Sequence, residues 1–162
     1  MLEGWKDFFV AEAGASAALL GLVFVSISIN LSKILASAFL PNRCLLAMLL
    51  LLAILVVASL MLIPDQPRWA FAADIAAVGL PTWVTVTSIE IAAFRQSGEN
   101  ISKTVRIGKL VVLEVATLSY LLAAGLLASG VAGALNWLAA AIILSIVRAA
   151  FDAWVLLVEI NR

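Results

Sequence analysis

Residues 44–63 read CLLAMLLLLAILVVASLMLI, a run of 20 residues without a charged side chain. A helix rises about 1.5 Å per residue, so about 20 apolar residues cross the roughly 30 Å hydrocarbon core of a bilayer. The run therefore predicts a membrane-spanning helix. Its apolar residues are continuous and do not alternate with polar ones, which favours a helix over a strand of a membrane barrel.

Four further apolar segments lie on either side of this run. We predict five spans in all, at residues 8–31, 44–63, 69–94, 110–128 and 135–160. The connections between them are too short for a soluble domain, so the predicted fold is a single all-α transmembrane domain over residues 1–162, a five-helix bundle. The third span contains Pro81, which has no amide hydrogen and predicts a helix kink.

The composition supports a polytopic membrane protein and excludes several kinds of site. Hydrophobic residues make up 65% of the chain and charged residues 12%, against about 45–50% and about 25% in soluble domains. The chain has no His and one Cys, Cys44, which excludes His-ligated metal or haem sites and a disulfide within the chain. Acidic and basic residues balance. We therefore expect no metal, cofactor, catalytic residue or nucleic-acid partner.

The positive residues predict an orientation. With five spans, two fall on the side of the N-terminus, Lys6 and Arg68, and seven fall on the other side: Lys33, Arg43, Arg95, Lys103, Arg106, Lys109 and Arg162. Cytoplasmic loops carry the excess of Lys and Arg, so we expect the N-terminus outside and the C-terminus in the cytoplasm. Glu3 and Asp7 precede the first span where a signal peptide would be positive, so we expect no cleavage.

The first span carries a polar stripe. Glu12, Ser16, Ser26 and Asn30 fall on one helical face at about 100° per residue. In a symmetric homo-oligomer this stripe would line a pore, with Glu12 forming an acidic ring that favours cations. The alternative is that the serines bond to carbonyls of their own helix and that Glu12 reaches the membrane interface.

The opposite face of the first span is made of small residues. Gly14, Ala18 and Gly21 follow the small-x-x-x-small spacing that lets helix backbones approach closely. We expect this face to pack against another helix, in a homo-oligomer or in a partner membrane protein.

The fifth span carries two residues of opposite charge that are spaced to form an ion pair on one helix. Arg148 and Asp152 are four residues apart and can pair on one helix. Glu114, at matching depth on the fourth span, is predicted as a second partner for Arg148, because an arginine in lipid needs a carboxylate. This ion-pair network is either a structural brace between helices or part of a gate or proton relay.

Two stretches resemble a known group of proteins. Residues 8–31, FFVAEAGASAALLGLVFVSISINL, and residues 152–160, DAWVLLVEI, resemble small uncharacterised bacterial inner-membrane proteins. The resemblance implies a multi-pass protein of the bacterial inner membrane. It implies no activity.

Two functions are compatible with these patterns. The first is an oligomeric pore for ions or small solutes, lined by the polar stripe of the first span. The alternative is a non-transporting scaffold or regulatory subunit that binds another membrane protein through the small-residue face. An enzyme is a third and weaker hypothesis, because the residue clusters that small membrane enzymes use are missing.

Overall fold

The chain folds into helices. The structure, a computed structural model, describes residues 3–37, 39–96 and 103–160. Within those residues a 3₁₀ turn at Glu3–Trp5 precedes six helices: α1 (Lys6–Ile29), α2 (Leu31–Leu35), α3 (Leu40–Met61), α4 (Arg68–Gln96), α5 (Lys103–Ala128) and α6 (Ala134–Ile160). All except α2 are long and apolar enough to cross a membrane. The helical class and the five candidate spans are therefore confirmed.

The short helix α2 and an early start of α5 were not predicted. Asn30 separates α1 from α2. Its amide N–H donates to the carbonyls of Ser26 and Ile27, and its side-chain Nδ2 donates to the Ser26 carbonyl at 3.0 Å. Asn side chains compete in this way for backbone groups and favour helix ends. α5 begins at Lys103, before the predicted span start at residue 110.

Four helices form a closed ring, and α1 lies outside it. α3, α4, α5 and α6 each pack against the next in chain order, and α6 returns to α3. α1 packs mainly on α3. Consequently 56% of the α3 span is buried but only 11% of the α1 span. α3 contacts α1, α4 and α6 and is the most buried of the five long helices.

Consecutive helices of the ring run antiparallel. At one end, called the Arg68 end, a cleft of ≈ 610 Å³ is lined by Lys6 of α1 together with Met61 of α3 and the α3–α4 connection. Gly130, in the α5–α6 connection, lies against the Arg68 guanidinium and has a positive φ of 73°. At the other end, the Arg43 end, Arg43 of α3 pairs with Asp152 of α6.

Pro81 lies inside α4 without ending it. The helix runs from Arg68 to Gln96 through the proline. The Thr82 hydroxyl donates to the Val78 carbonyl at 2.7 Å, in the turn where the proline removes a backbone donor. Pro81 also lines a small apolar cavity of ≈ 220 Å³ between α3 and α4.

The α4–α5 contact depends on Gly79. A Cβ atom at this position would lie 2.9 Å from the Cβ of Tyr120. That atom is fixed to the α5 backbone and cannot rotate away, so the two backbones approach closely only because residue 79 has no side chain.

We expect Gly79→Leu to lower the free energy of unfolding by about 1–3 kcal/mol relative to Gly125→Leu, because overpacking separates α4 from α5. Gly125 is a matched control, since nothing lies within 4 Å of a Cβ built there. Denaturation with SDS in mixed micelles measures the difference. Equal stabilities of the two variants would show that the close approach is unimportant.

Candidate functional site: a polar seam inside the bundle

Four charged side chains meet near the Arg43 end. Arg148 of α6 donates to Asp152 on the same helix, with Nη1 at 2.8 Å from Oδ1. The same Asp152 oxygen lies 3.5 Å from Arg43 of α3. Arg148 Nη2 lies 3.9 Å from Glu90 of α4. These four residues, called the charged cluster, therefore connect three helices of the ring with two positive and two negative charges.

Three of the four residues of the charged cluster are buried. Arg148 is 5% exposed, Asp152 0% and Glu90 7%, whereas the Arg43 side chain is 25% exposed. Lys109 of α5 lies within electrostatic reach of all four residues. A buried charge is costly unless it is paired, so the cluster restricts how α3, α4 and α6 can be placed.

The sequence spacing predicted the pairing of Arg148 with Asp152, but it did not predict the contacts of this pair with Glu90 and Arg43. Helix geometry brings residues i and i+4 together, so that pair forms as expected. Glu90 lies within the third predicted span, but its position along that span does not show which neighbouring helix its side chain faces. Arg43 precedes the second predicted span and was counted only as a flanking charge.

The prediction that Glu114 pairs with Arg148 is wrong. Its carboxyl instead accepts hydrogen bonds from two α4 residues, Trp83 through Nε1 and Thr87 through Oγ1, both at 2.7 Å. α5 packs against both α4 and α6, and Glu114 projects toward α4. Matching depth along the membrane does not determine which of two neighbouring helices a side chain faces.

The polar stripe of α1 faces the bundle. Phe9, Ser16 and Val23 are the buried residues of α1, and Glu12 is half-buried beside them. The Ser16 hydroxyl donates to the Glu12 carbonyl at 2.6 Å, which is the alternative that the sequence left open. Ser26 is half-buried, and Asn30 ends α1.

The predicted packing face of α1 does not pack within the described chain. Gly14, Ala18 and Gly21 are all exposed. Nothing lies within 4 Å of a Cβ built at Gly14 or Gly21. Within the described chain, the polar face of α1 therefore points into the bundle. The small-residue face, which we expected to pack against a helix, points outward.

A second polar group lies nearer the Arg68 end. Tyr120 of α5 is 2% exposed, and its hydroxyl lies within hydrogen-bonding reach of Ser145 of α6 and within electrostatic reach of Glu12 of α1. The Tyr120 hydroxyl, Ser145 Oγ and Glu12 Oε2 are buried, and none of them makes a well-aligned hydrogen bond within the described residues.

The two groups form one line, called the polar seam: Glu12, Tyr120, Ser145 and the charged cluster. Ser145, Arg148 and Asp152 share a face of α6, with rises of about 4.5 Å and about 6 Å between successive residues. Within the part of the chain that the structure describes, Arg148 Nε and Asp152 Oδ2 are also buried without a hydrogen-bond partner. The seam therefore contains incompletely hydrogen-bonded polar atoms from Glu12 to the Arg43 end.

No protein-family model, curated protein or solved structure matches the chain. The resemblance to bacterial inner-membrane proteins stays a prediction.

We expect Asp152→Ala to lower the free energy of unfolding by about 3–5 kcal/mol, because it leaves Arg148 buried with only the longer contact to Glu90. Arg43→Ala removes only the longer of the two Asp152 contacts, made by a partly exposed arginine, and leaves Asp152 paired with Arg148, so it should cost about 0–1 kcal/mol. SDS-induced unfolding followed by tryptophan fluorescence measures both.

A triple variant separates the charge effect from simple packing. Replacing Arg148 together with both of its carboxylate partners, as in Arg148→Met with Asp152→Leu and Glu90→Gln, leaves no buried charge without a partner and should recover most of the loss. If the triple variant is as unstable as Asp152→Ala, the pairing of Arg148 is not what stabilises this region.

Proposed function

We propose that the protein conducts ions across the membrane along the polar seam inside its own helix bundle, and that the proton is the ion this path suits best. The observation that carries the proposal is a row of buried polar atoms that make no well-aligned hydrogen bond within the described residues, from Glu12 through Tyr120 and Ser145 to Arg148 and Asp152. In a bilayer interior an unpaired polar group is costly, and such groups mark ion or proton pathways.

Internal water is the natural complement to these atoms. A buried water needs two to four polar partners, and the hydroxyl of Tyr120 and that of Ser145 both donate and accept. Water molecules between them and the Glu12 carboxyl would form a hydrogen-bonded chain. Such a chain passes a proton between fixed groups without requiring a wide opening.

Buried apolar side chains support the proton over a hydrated ion. Leu113 of α5, Leu138 and Ile142 of α6 and Val86 of α4 are fully buried in the same ring of helices. A hydrated cation needs a wider path than the spaces between such packed groups. A proton needs only aligned donors and acceptors.

A path inside a single chain differs from the pore between copies of the chain that the sequence suggested. A pore at the centre of an oligomer would need the stripe of α1 to face other copies, but Ser16 is fully buried against the bundle. Glu12 lies about two turns from the start of α1 at Lys6, so it would stand near the entrance of the seam. We further propose a bacterial inner-membrane location with the N-terminus outside, which puts Glu12 at the external end of the seam.

Proton flux into liposomes tests the proposal. Purified protein is reconstituted with a pH-sensitive dye inside, and a potassium gradient with valinomycin sets the membrane potential. We expect acidification well above that of protein-free liposomes. Glu12→Gln and Tyr120→Phe should reduce the rate toward the protein-free level, because each removes from the seam a group that can release and take up a proton.

Asp7→Asn is the matched control for Glu12→Gln. Asp7 is an exposed carboxylate on the same helix, outside the seam, and its replacement should leave the rate unchanged. Wild-type flux equal to that of empty liposomes, from protein shown to be folded and inserted, would refute the proposal. Equal effects of the two variants would place the path elsewhere.

A second function is favoured by the outward face of α1. Gly14, Ala18 and Gly21 form an exposed strip on the least buried of the five long helices. Small residues at such spacing let a second helix approach closely. We propose, as the alternative, a scaffold or regulatory subunit that binds a helix of another membrane protein, or of a second copy in a homo-oligomer, on this strip.

Gly14→Leu combined with Gly21→Leu tests the alternative. The larger side chains should abolish association while the chain stays folded, because neither position has a neighbour within the described residues. Gly125→Leu is the matched control, also open but on α5. Chemical cross-linking in native membranes, before and after the substitutions, measures the association. An unchanged cross-linking pattern would exclude the strip as an interface.

A further inference from the structure

Glu114 lies in a site of its own, separate from the polar seam. Each of its carboxyl oxygens takes part in one hydrogen bond, Oε2 with Trp83 Nε1 and Oε1 with Thr87 Oγ1. The same residue lines a groove of ≈ 410 Å³ on the outer surface of α5. The other residues lining the groove are Leu110, Val111, Val115, Leu118, Ser119 and Leu122.

The groove faces away from the bundle. Val111, Val115, Leu118 and Leu122 are 41–52% exposed, and exposed apolar residues on a membrane-spanning helix meet lipid. The Glu114 carboxyl is therefore half-buried against α4 on one side and open to the hydrocarbon region on the other.

Among the described residues, Glu114 takes part in none of the ion pairs of the charged cluster, and its carboxyl is held by the uncharged side chains of Trp83 and Thr87. The nearest charged side chains on the helices that pack against α5 interact with residues other than Glu114. Glu90 of α4 and Asp152 of α6 share Arg148, and Lys109, on α5 itself, lies toward that cluster. A negative charge on Glu114 would thus face lipid without a counter-charge, which is costly.

The two partners of Glu114 differ in what they can accept. The indole N–H of Trp83 only donates, so it holds one carboxyl oxygen as an acceptor in both protonation states. The hydroxyl of Thr87 donates to a carboxylate but accepts from a carboxylic acid. The site can therefore gain or lose a proton while its heavy atoms stay in place.

We propose that Glu114, held by Trp83 and Thr87, is a proton-exchanging carboxyl that is accessible from the lipid-facing side of the bundle. It binds and releases a proton at the α4–α5 surface, where lipid-soluble weak acids and bases have access to it. The proposal does not depend on ion conduction through the polar seam, because none of its three residues belongs to the seam.

A hydrophobic carbodiimide tests this proposal by chemical labelling. The protonated carboxyl adds across one C=N bond: its proton moves to nitrogen and its oxygen bonds to the central carbon. The acyl group of this O-acylisourea then migrates to nitrogen and gives a stable N-acylurea, with no leaving group. The labelling rate therefore follows the protonated fraction of the carboxyl, and peptide mass spectrometry locates the label.

We expect a dicyclohexylcarbodiimide adduct on Glu114 in folded protein reconstituted in liposomes. Its formation should fall about tenfold per pH unit once the carboxyl is mostly ionised. A charged, water-soluble carbodiimide should label Glu114 far less, because the groove opens to lipid. Glu90 should stay unlabelled in the same sample, since it is buried beside Arg148.

Trp83→Phe distinguishes a proton-exchange site from mere surface reactivity. Trp83 donates directly to the Glu114 carboxyl, so its loss should change the pH dependence of labelling. Glu114→Gln should abolish the label, and circular dichroism checks that each variant is folded.

Three results would overturn the proposal. The first is an unlabelled Glu114 at every pH in folded wild-type protein. The second is labelling that does not change with pH, and the third is a Trp83→Phe profile identical to that of the wild type. Because the readout is a mass adduct, a failure here stays distinguishable from a failure of the proton-flux experiment.

Discussion

The rest of the bundle depends on the need to pair one buried cation, Arg148. A guanidinium does not deprotonate in a protein, so burial must be compensated by carboxylates. Asp152 meets this need from the same helix, Glu90 from α4, and Arg43 shares the Asp152 oxygen from α3. The relative positions of three helices are thus coupled to one charge. Apolar packing alone, which has little directional preference between helices in lipid, would not impose such a constraint.

The same constraint explains why α1 differs from the other long helices. α1 contributes no residue to the charged cluster, packs mainly on α3 and leaves most of its surface exposed. Its attachment depends on Phe9, Ser16 and Val23, with the Ser16 hydroxyl satisfied by its own helix. A helix held in this way can present one polar face to the bundle and one small-residue face outward, and the two proposed functions depend on these two faces.

α5 carries polar groups in two directions. Tyr120 points into the bundle toward Ser145, whereas Glu114 binds Trp83 and Thr87 at the boundary with α4. Gly79 makes this arrangement compatible with close packing, since it allows α4 to approach α5 at Tyr120. The inward group belongs to a connected seam with unpaired atoms, and the outward group is satisfied at both oxygens. We therefore expect their chemistry to differ: Tyr120 would take part in proton transfer along the seam, whereas Glu114 would exchange a proton locally.

By itself, the sequence determined the features that lie along one helix. The five apolar runs follow from length and composition, and the Arg148–Asp152 pair follows from the i, i+4 spacing of a helix. Only the tertiary structure decided which residues meet across helices: Glu90 and Arg43 with the α6 pair, Glu114 with Trp83 and Thr87, and the inward face of α1. Helical periodicity fixes the angle between side chains on one helix. The rotation of each helix against its neighbours is set by the packing and charge pairing of the whole bundle.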